Sequence, residues 1–230
     1  KAIKYDDENI AARLGVANTL RDLEGSKDPA ALANAMHLYQ ELMADHARDA
    51  RVQFEYGSAL ETSGRVDEAL ELYREATKAD DKDPRPHLKM AAAYLQRDPP
   101  DLEKAQKTID DARTIEMATG GSNAEVRFWE ARLYLAQDKL HEAQTTMEQA
   151  VALEKKNAVY HYWLGRAMQE NNSLYQAIDS YKEAIRLNSR YADAHMALGQ
   201  AAITRHQYSK ARESFDAYRE ARPEDATVFY

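Results

Sequence analysis

The chain has 230 residues, with 31 Lys and Arg against 39 Asp and Glu, and its net charge of −8 opposes binding nucleic acid or anionic membrane through a general electrostatic field. It has no cysteine, which removes disulfides, thiolate metal sites and cysteine nucleophiles together, and no apolar run approaches the ~20 residues that span a bilayer. Charged residues at 30% and hydrophobic ones at 44%, with eight Gly and six Pro, fit a chain that is mostly helix with short turns.

Taken in order, the apolar spacing divides the chain into helix pairs. Lys1–Asp7 reads as the last turn of a second helix and the link after it, so 1–9 is predicted to be a partial repeat. Full repeats follow at 10–49, 50–83, 84–123, 124–157, 158–191 and 192–225, and 226–230 reads as the start of another first helix. In the first repeat the helix Ile10–Leu23 fits two registers, because Leu14-Gly15 mimics Leu164-Gly165. Setting Ala17 at the small-residue position puts Leu20 where Met168 sits and makes the link from Tyr5 regular. That repeat has six extra residues in its inner turn, around Glu24–Pro29. The third has two extra at Asp98–Asp101 and about four at Thr119–Asn123, where Gly120-Gly121-Ser122 makes a flexible link. The fifth is the clearest: His161, Leu164, Gly165 and Met168 share one helical face, as do Leu174, Ala177, Tyr181 and Ala184, with Asn171-Asn172-Ser173 as a tight turn between them. One such hairpin cannot bury its apolar faces alone and needs copies beside it. The chain starts with Lys1 and no polar capping helix is evident at either end, so the sequence is expected to be a segment of a longer array.

A small residue followed one helical turn later by a large apolar one recurs six times: Ala35 and Tyr39, Ala69 and Tyr73, Ala105 and Ile109, Ala143 and Met147, Ala177 and Tyr181, Ala211 and Phe215. The small residue lets neighbouring helices approach to about 8–10 Å, and the large one fills the gap beside it. The Tyr and Met stripe is therefore core rather than a cofactor box. His87, His161 and His195 occupy equivalent places in first helices, but equivalent residues of adjacent repeats lie about 10 Å apart, too far to share one zinc ion, whose ligands sit about 2 Å from it. No HExxH, phosphate-binding glycine loop or GxSxG elbow is present. No catalytic residue, metal or cofactor is expected, and the chain is not read as an enzyme.

This pattern, with Leu164-Gly165, Ala177, Tyr181, Ala184 and Pro223 as its marks, resembles the tetratricopeptide repeat family over nearly the whole chain. The resemblance implies an all-α, right-handed superhelical solenoid of antiparallel helix hairpins, about six repeats forming a single array over 1–230, with first helices lining an inner surface. On those helices one column reads Leu14, Phe54, Leu88, Phe128, Tyr162, Met196, all large and apolar. Seven residues on come Arg21, Glu61, Leu95, Leu135, Gln169 and Ile203, so Leu88, Leu95, Phe128 and Leu135 mark the least polar part. Four residues after the first column, Arg132 and Arg166 are neighbours, and two guanidinium groups side by side can hold a carboxylate or phosphate.

The expected function is a scaffold that takes a partner's peptide or amphipathic helix, apolar side inward, with an acidic residue near Arg132 and Arg166. A blander packing is also consistent with the sequence: the apolar column covered by neighbouring first helices, and Arg132 paired with Glu125 or Glu170. Trp129 and Trp163, one step further round, are expected to pack at a groove edge. A branch of the family binds the carboxylate ends of chaperones through inner-face Lys and Asn. Here those places hold Leu, Phe, Tyr and Met, with Asn18 the only Asn in the second column, so that clamp is not reproduced. Self-association through uncapped ends and a regulatory or targeting role beside an enzyme domain elsewhere are the alternatives.

Overall fold

The computed structural model describes residues 2–22 and 29–222, with side chains from residue 9, and among them are twelve helices and no strand. They fall into two compact units, Lys1–Gly120 and Gly121–Tyr230. The first holds α1 (Ala2–Asp22), α2 (Pro29–Asp45), α3 (Ala50–Thr62), α4 (Val66–Ala79), α5 (Arg85–Leu95) and α6 (Leu102–Thr119). The second holds α7 (Ala124–Ala136), α8 (Leu140–Leu153), α9 (Ala158–Glu170), α10 (Leu174–Leu187), α11 (Ala192–Thr204) and α12 (Tyr208–Ala221). In each unit odd and even helices pair as hairpins, and each hairpin packs on the next.

Four hairpins, α3–α4, α7–α8, α9–α10 and α11–α12, are closed by one device. Gly64, Asp138, Asn172 and His206 take left-handed backbone with φ of 77°, 59°, 59° and 56°, a conformation open to Gly and tolerated best by Asn, Asp and His. The next amide reaches back five residues in each case: Arg65 to Leu60, Lys139 to Tyr134, Ser173 to Met168 and Gln207 to Ala202, at 2.7–2.9 Å. These bonds satisfy carbonyls that the helix end leaves open. First helices are started by Asp49, Asn123 and Asn157, whose side chains accept from backbone amides of the first turn.

Two expectations change. The backbone is helical from Ala2 straight through to Asp22, so the predicted link before Ile10 is absent; 1–9 contains no Gly or Pro to break it. The extra residues assigned to a loop at Thr119–Asn123 lengthen α6 to 18 residues, against 14 in α4 and α8, and Gly120 caps it in left-handed backbone. The inner-turn insertion after Leu23 and the segment from Pro223 lie outside the described residues, except that Pro29 opens α2.

The core is the alternation of small and large residues. Ala35, Ala69, Ala105, Ala143 and Ala177 are at most 1% exposed, as are Tyr39, Tyr73, Ile109, Met147 and Tyr181. Facing them on first helices are Ala17, Gly57, Ala91, Ala131, Gly165 and Gly199, so Ala17 rather than Gly15 takes the small-residue place in α1. A Cβ at Gly165 would stand 2.5 Å from a Tyr181 ring carbon and 3.1 Å from the Ala177 carbonyl, whereas one at Gly15 would meet nothing within 4 Å. The tyrosine hydroxyls still need acceptors inside this seam. Asn18 takes that of Tyr39 at 2.5 Å, Glu61 that of Tyr73 at 2.8 Å and Gln169 that of Tyr181 at 3.0 Å.

The histidine column serves the links between repeats. His161 and His195 bond through Nε2 to the carbonyls of Lys155 and Ser189 at 3.0 and 2.9 Å, and Gln53, at the same place in α3, donates to Ala47 at 2.8 Å. His87 differs: its buried Nδ1 has no hydrogen bond, with Asp111 at 3.8 Å. Burial lowers its proton affinity below the ordinary imidazole value, opposed by the Asp111 and Asp83 carboxylates.

Two predictions follow from the seam and from His87. Gly165→Ala gains about 1 kcal/mol of helix propensity but overpacks the seam by about 1–3 kcal/mol, so its urea midpoint should fall, while that of Gly15→Ala should rise. Because folded His87 binds its proton less readily than the unfolded imidazole near pH 6.5, its stabilising contribution is full above that pH and is lost as the pH falls below it. Urea midpoints between pH 7.5 and 5.5 should therefore decline less steeply in His87→Gln than in the wild type.

Candidate functional site: an aromatic-backed arginine in the second unit

Helices α7 and α9 present three equivalent pairs, Phe128 and Tyr162, Trp129 and Trp163, Arg132 and Arg166. Residues three and four apart share a helix face, so Arg132 stands above both Phe128 and Trp129. The rings interlock, with Phe128 at 4.9 Å from Trp129, 5.0 Å from Tyr160 and 6.5 Å from Trp163. Tyr162 closes the cluster at 5.4 Å from Trp163 and 5.2 Å from Tyr191.

On this floor the guanidinium of Arg132 lies 3.6 Å from the Trp163 ring centre and 5.4 Å from that of Trp129. Its stem is drawn in by apolar surface, and the ring quadrupole favours the charged head. Neither Glu125 nor Glu170 reaches it: among the described residues Arg132 makes no hydrogen bond or ion pair. Arg166 has taken Glu170, at 2.9 Å, and donates to the Tyr162 hydroxyl at 3.4 Å, with its own guanidinium 5.5 Å from the Trp163 ring. Burial, and then the neighbouring Arg166 cation, hold the proton affinity of Arg132 down to about 10, so it remains charged at neutral pH. The arrangement is a desolvated cation whose in-plane N–H donors have no acceptor from the described chain.

Beside Arg166, a groove of about 320 Å³ runs between α9 and α11. Tyr162, Arg166 and Glu170 line one side and Asp193, Met196 and Gln200 the other. Asp193 is held by Arg222 at 3.2 Å. The predicted residues Arg132, Tyr162, Arg166 and Met196 thus belong to one neighbourhood. Trp163, which sequence reasoning set at an edge as packing, is the platform; its spacing of three from Arg166 and its equivalence to Trp129 were the available signals.

The apolar column itself is mostly core. Leu88 is wholly buried, and Leu14, Phe54, Leu95, Phe128 and Tyr162 are each under 10% exposed, so they do not form the open apolar floor expected of them. Their cover is specific. Phe54 packs on Tyr73 at 5.8 Å with Arg85 over its ring at 4.8 Å, and Tyr162 packs on Tyr181 at 6.0 Å. Leu88 lies in a helix buried on nearly every side, as its sequence RPHLKMAAAYL dictates. Leu135 and Met196 are half-buried and Ile203 is exposed. Leu88 and Leu95 are in the first unit, Phe128 and Leu135 in the second.

Tetratricopeptide repeat models match residues 32–84, 124–157 and 170–202, together more than half of the sequence. The chain belongs to the tetratricopeptide repeat family. No curated protein sequence matches this tetratricopeptide chain. Among solved structures it is similar to MamA of Desulfovibrio magneticus RS-1, at 20% identity over 76% of this chain and 96% of that one, with a TM-score of 0.58. It is also similar to a thermophilic tetratricopeptide protein of Thermus thermophilus, at 17% identity over 84% and 99% with a TM-score of 0.69. YrrB, a tetratricopeptide protein with an unusual peptide-binding site, aligns at 16% identity over 80% and 92% with a TM-score of 0.53. At these identities the likeness is one of fold. No helix among the described residues is long and apolar enough to cross a membrane.

A partly buried arginine with no counter-ion costs stability unless its stacking offsets the lost hydration. Replacing Arg132 by Met keeps the packing volume and removes the charge from beside Arg166. The expected result is a stability unchanged within about 0.5 kcal/mol, or raised. A purely structural cation–π contact would instead lose about 1–2 kcal/mol, and thermal and urea unfolding of the two proteins separate the cases.

Proposed function

We propose that this tetratricopeptide chain is a protein-interaction scaffold that binds a segment of a partner polypeptide along α7, α9 and α11 of its second unit. The observation that carries this reading is Arg132, a charged guanidinium fixed on Trp163 with none of its donors used by the described chain. An acidic side chain of the partner would sit on the free edge of Arg132, beside Arg166. The following residues would enter the groove bounded by Tyr162, Met196 and Gln200. The buried members of the apolar column support this face from beneath rather than touching the partner, so the binding energy must come from the arginines, the half-buried Met196 and the groove walls. Few polar anchors of this kind support micromolar rather than nanomolar affinity once association costs are met. YrrB carries a peptide-binding site on the same architecture, which makes a peptide the natural class of ligand.

A random 15-residue peptide display library, selected on the full chain, tests this. The wild type should enrich a family of peptides, and Gln200→Trp, which fills the groove from an exposed position, should bind them at least tenfold more weakly with its helical content intact. Failure to enrich any peptide, or equal binding by the blocked variant, contradicts the reading.

A further inference from the structure

Resting on that reading of the second unit, we infer that the Arg132–Arg166 site selects the carboxylate of an acidic side chain within the partner segment, and that a phosphoryl group at the same position is rejected. The selection is made by charge balance and by the shape of the available donors.

The charge balance is set by five side chains around Trp163 and the adjoining groove. Arg132 and Arg166 bring two positive charges, and Glu170 on Arg166 at 2.9 Å removes one. Asp193, across the groove, is matched by Arg222 at 3.2 Å. One positive charge is left, and it is on Arg132. A carboxylate neutralises it. A phosphoserine, at about −1.5 to −2 near neutral pH, would leave a net negative charge against rings that strengthen every unbalanced interaction, and beside the carboxylate of Glu170.

Donor geometry points the same way. The face of the Arg132 guanidinium is set against the Trp163 ring at 3.6 Å, which leaves the edge of the fork to donate. Two parallel N–H groups in one plane match the two oxygens of a carboxylate. The second guanidinium, which a tetrahedral phosphoryl group would need for its third oxygen, is already engaged by Glu170 and by the Tyr162 hydroxyl.

The position along the partner follows from what flanks the site. The half-buried ring of Trp129 lies on one side and the groove between α9 and α11 on the other. A segment that uses both sides passes through the site, so the carboxylate belongs to an internal Asp or Glu rather than to a chain end. A serine at that position in the partner would therefore be held weakly, and its phosphorylation would not recruit the segment.

The experiment uses three synthetic peptide arrays, random on both flanks and fixed at the central residue as Glu, Gln or phosphoserine. Each is probed with the full wild-type chain and with Arg132→Met and Arg132→Lys, after circular dichroism has shown that each variant is folded. The wild type should retain Glu-centred peptides at least tenfold more than Gln- or phosphoserine-centred ones. The preference should vanish in Arg132→Met and shrink in Arg132→Lys, which keeps the charge but not the planar fork. Equal retention of Glu and Gln, retention of phosphoserine at the level of Glu or above, or a Glu preference that survives Arg132→Met each overturns the inference while leaving the scaffold reading standing. Retention of no peptide on any array overturns both.

Discussion

The close approach of paired helices at the Gly165–Tyr181 seam sets the geometry of everything outside it. With only 2.5 Å between the position a Cβ would take and the Tyr181 ring, the first helix of the hairpin cannot rotate or withdraw without opening the core. Its remaining faces are thereby fixed. Tyr162, one turn before Gly165, packs onto the same Tyr181 ring, and Trp163 and Arg166 are carried to the far side. The same logic, with Ala131 of α7 packed in one cluster with Met147 of α8, sets the positions of Phe128, Trp129 and Arg132 on α7. A platform for a cation is thus a consequence of how a small residue and a large one share one contact.

The fold was legible because its signals are local and repeated. Spacing alone gave the hairpins and the Ala–Tyr seam, and the tight turn at Asn171-Asn172-Ser173 was visible; Gly64, Asp138 and His206, which take the same left-handed backbone as Asn172, were not singled out. Where the reading missed, the cause was a competing local preference. Nothing in 1–9 breaks a helix, so α1 continues through a predicted link, and α6 extends through residues whose helical tendency outweighs the regular repeat length.

The site was half legible. Arg132 and Arg166 fall out of the 34-residue register, and the structure brings them to one ring. Burial was not legible in the same way. A column one step round from the core looks the same in sequence whether it faces solvent or the next repeat, and only the reach of Tyr73, Tyr181 and Tyr191 decides that Phe54 and Tyr162 are covered. Nor could sequence decide between two arginines for one glutamate. Glu170 lies four residues after Arg166 on the same helix, and that short i,i+4 path wins over a cross-helix pair with Arg132.

The free edge of the Arg132 guanidinium is open to direct observation. In a spectrum of 15N-arginine-labelled protein, the Arg132 Nε–Hε resonance should be shifted upfield by the Trp163 ring at 3.6 Å. Rotation about its Cζ–Nη bonds should be fast, as for a side chain with no acceptor, while rotation in Arg166 is slowed by Glu170. An Arg132 signal at the ordinary position, or one whose rotation is as slow as in a carboxylate-paired arginine, would contradict the assignment of this residue as the unsatisfied cation of the site.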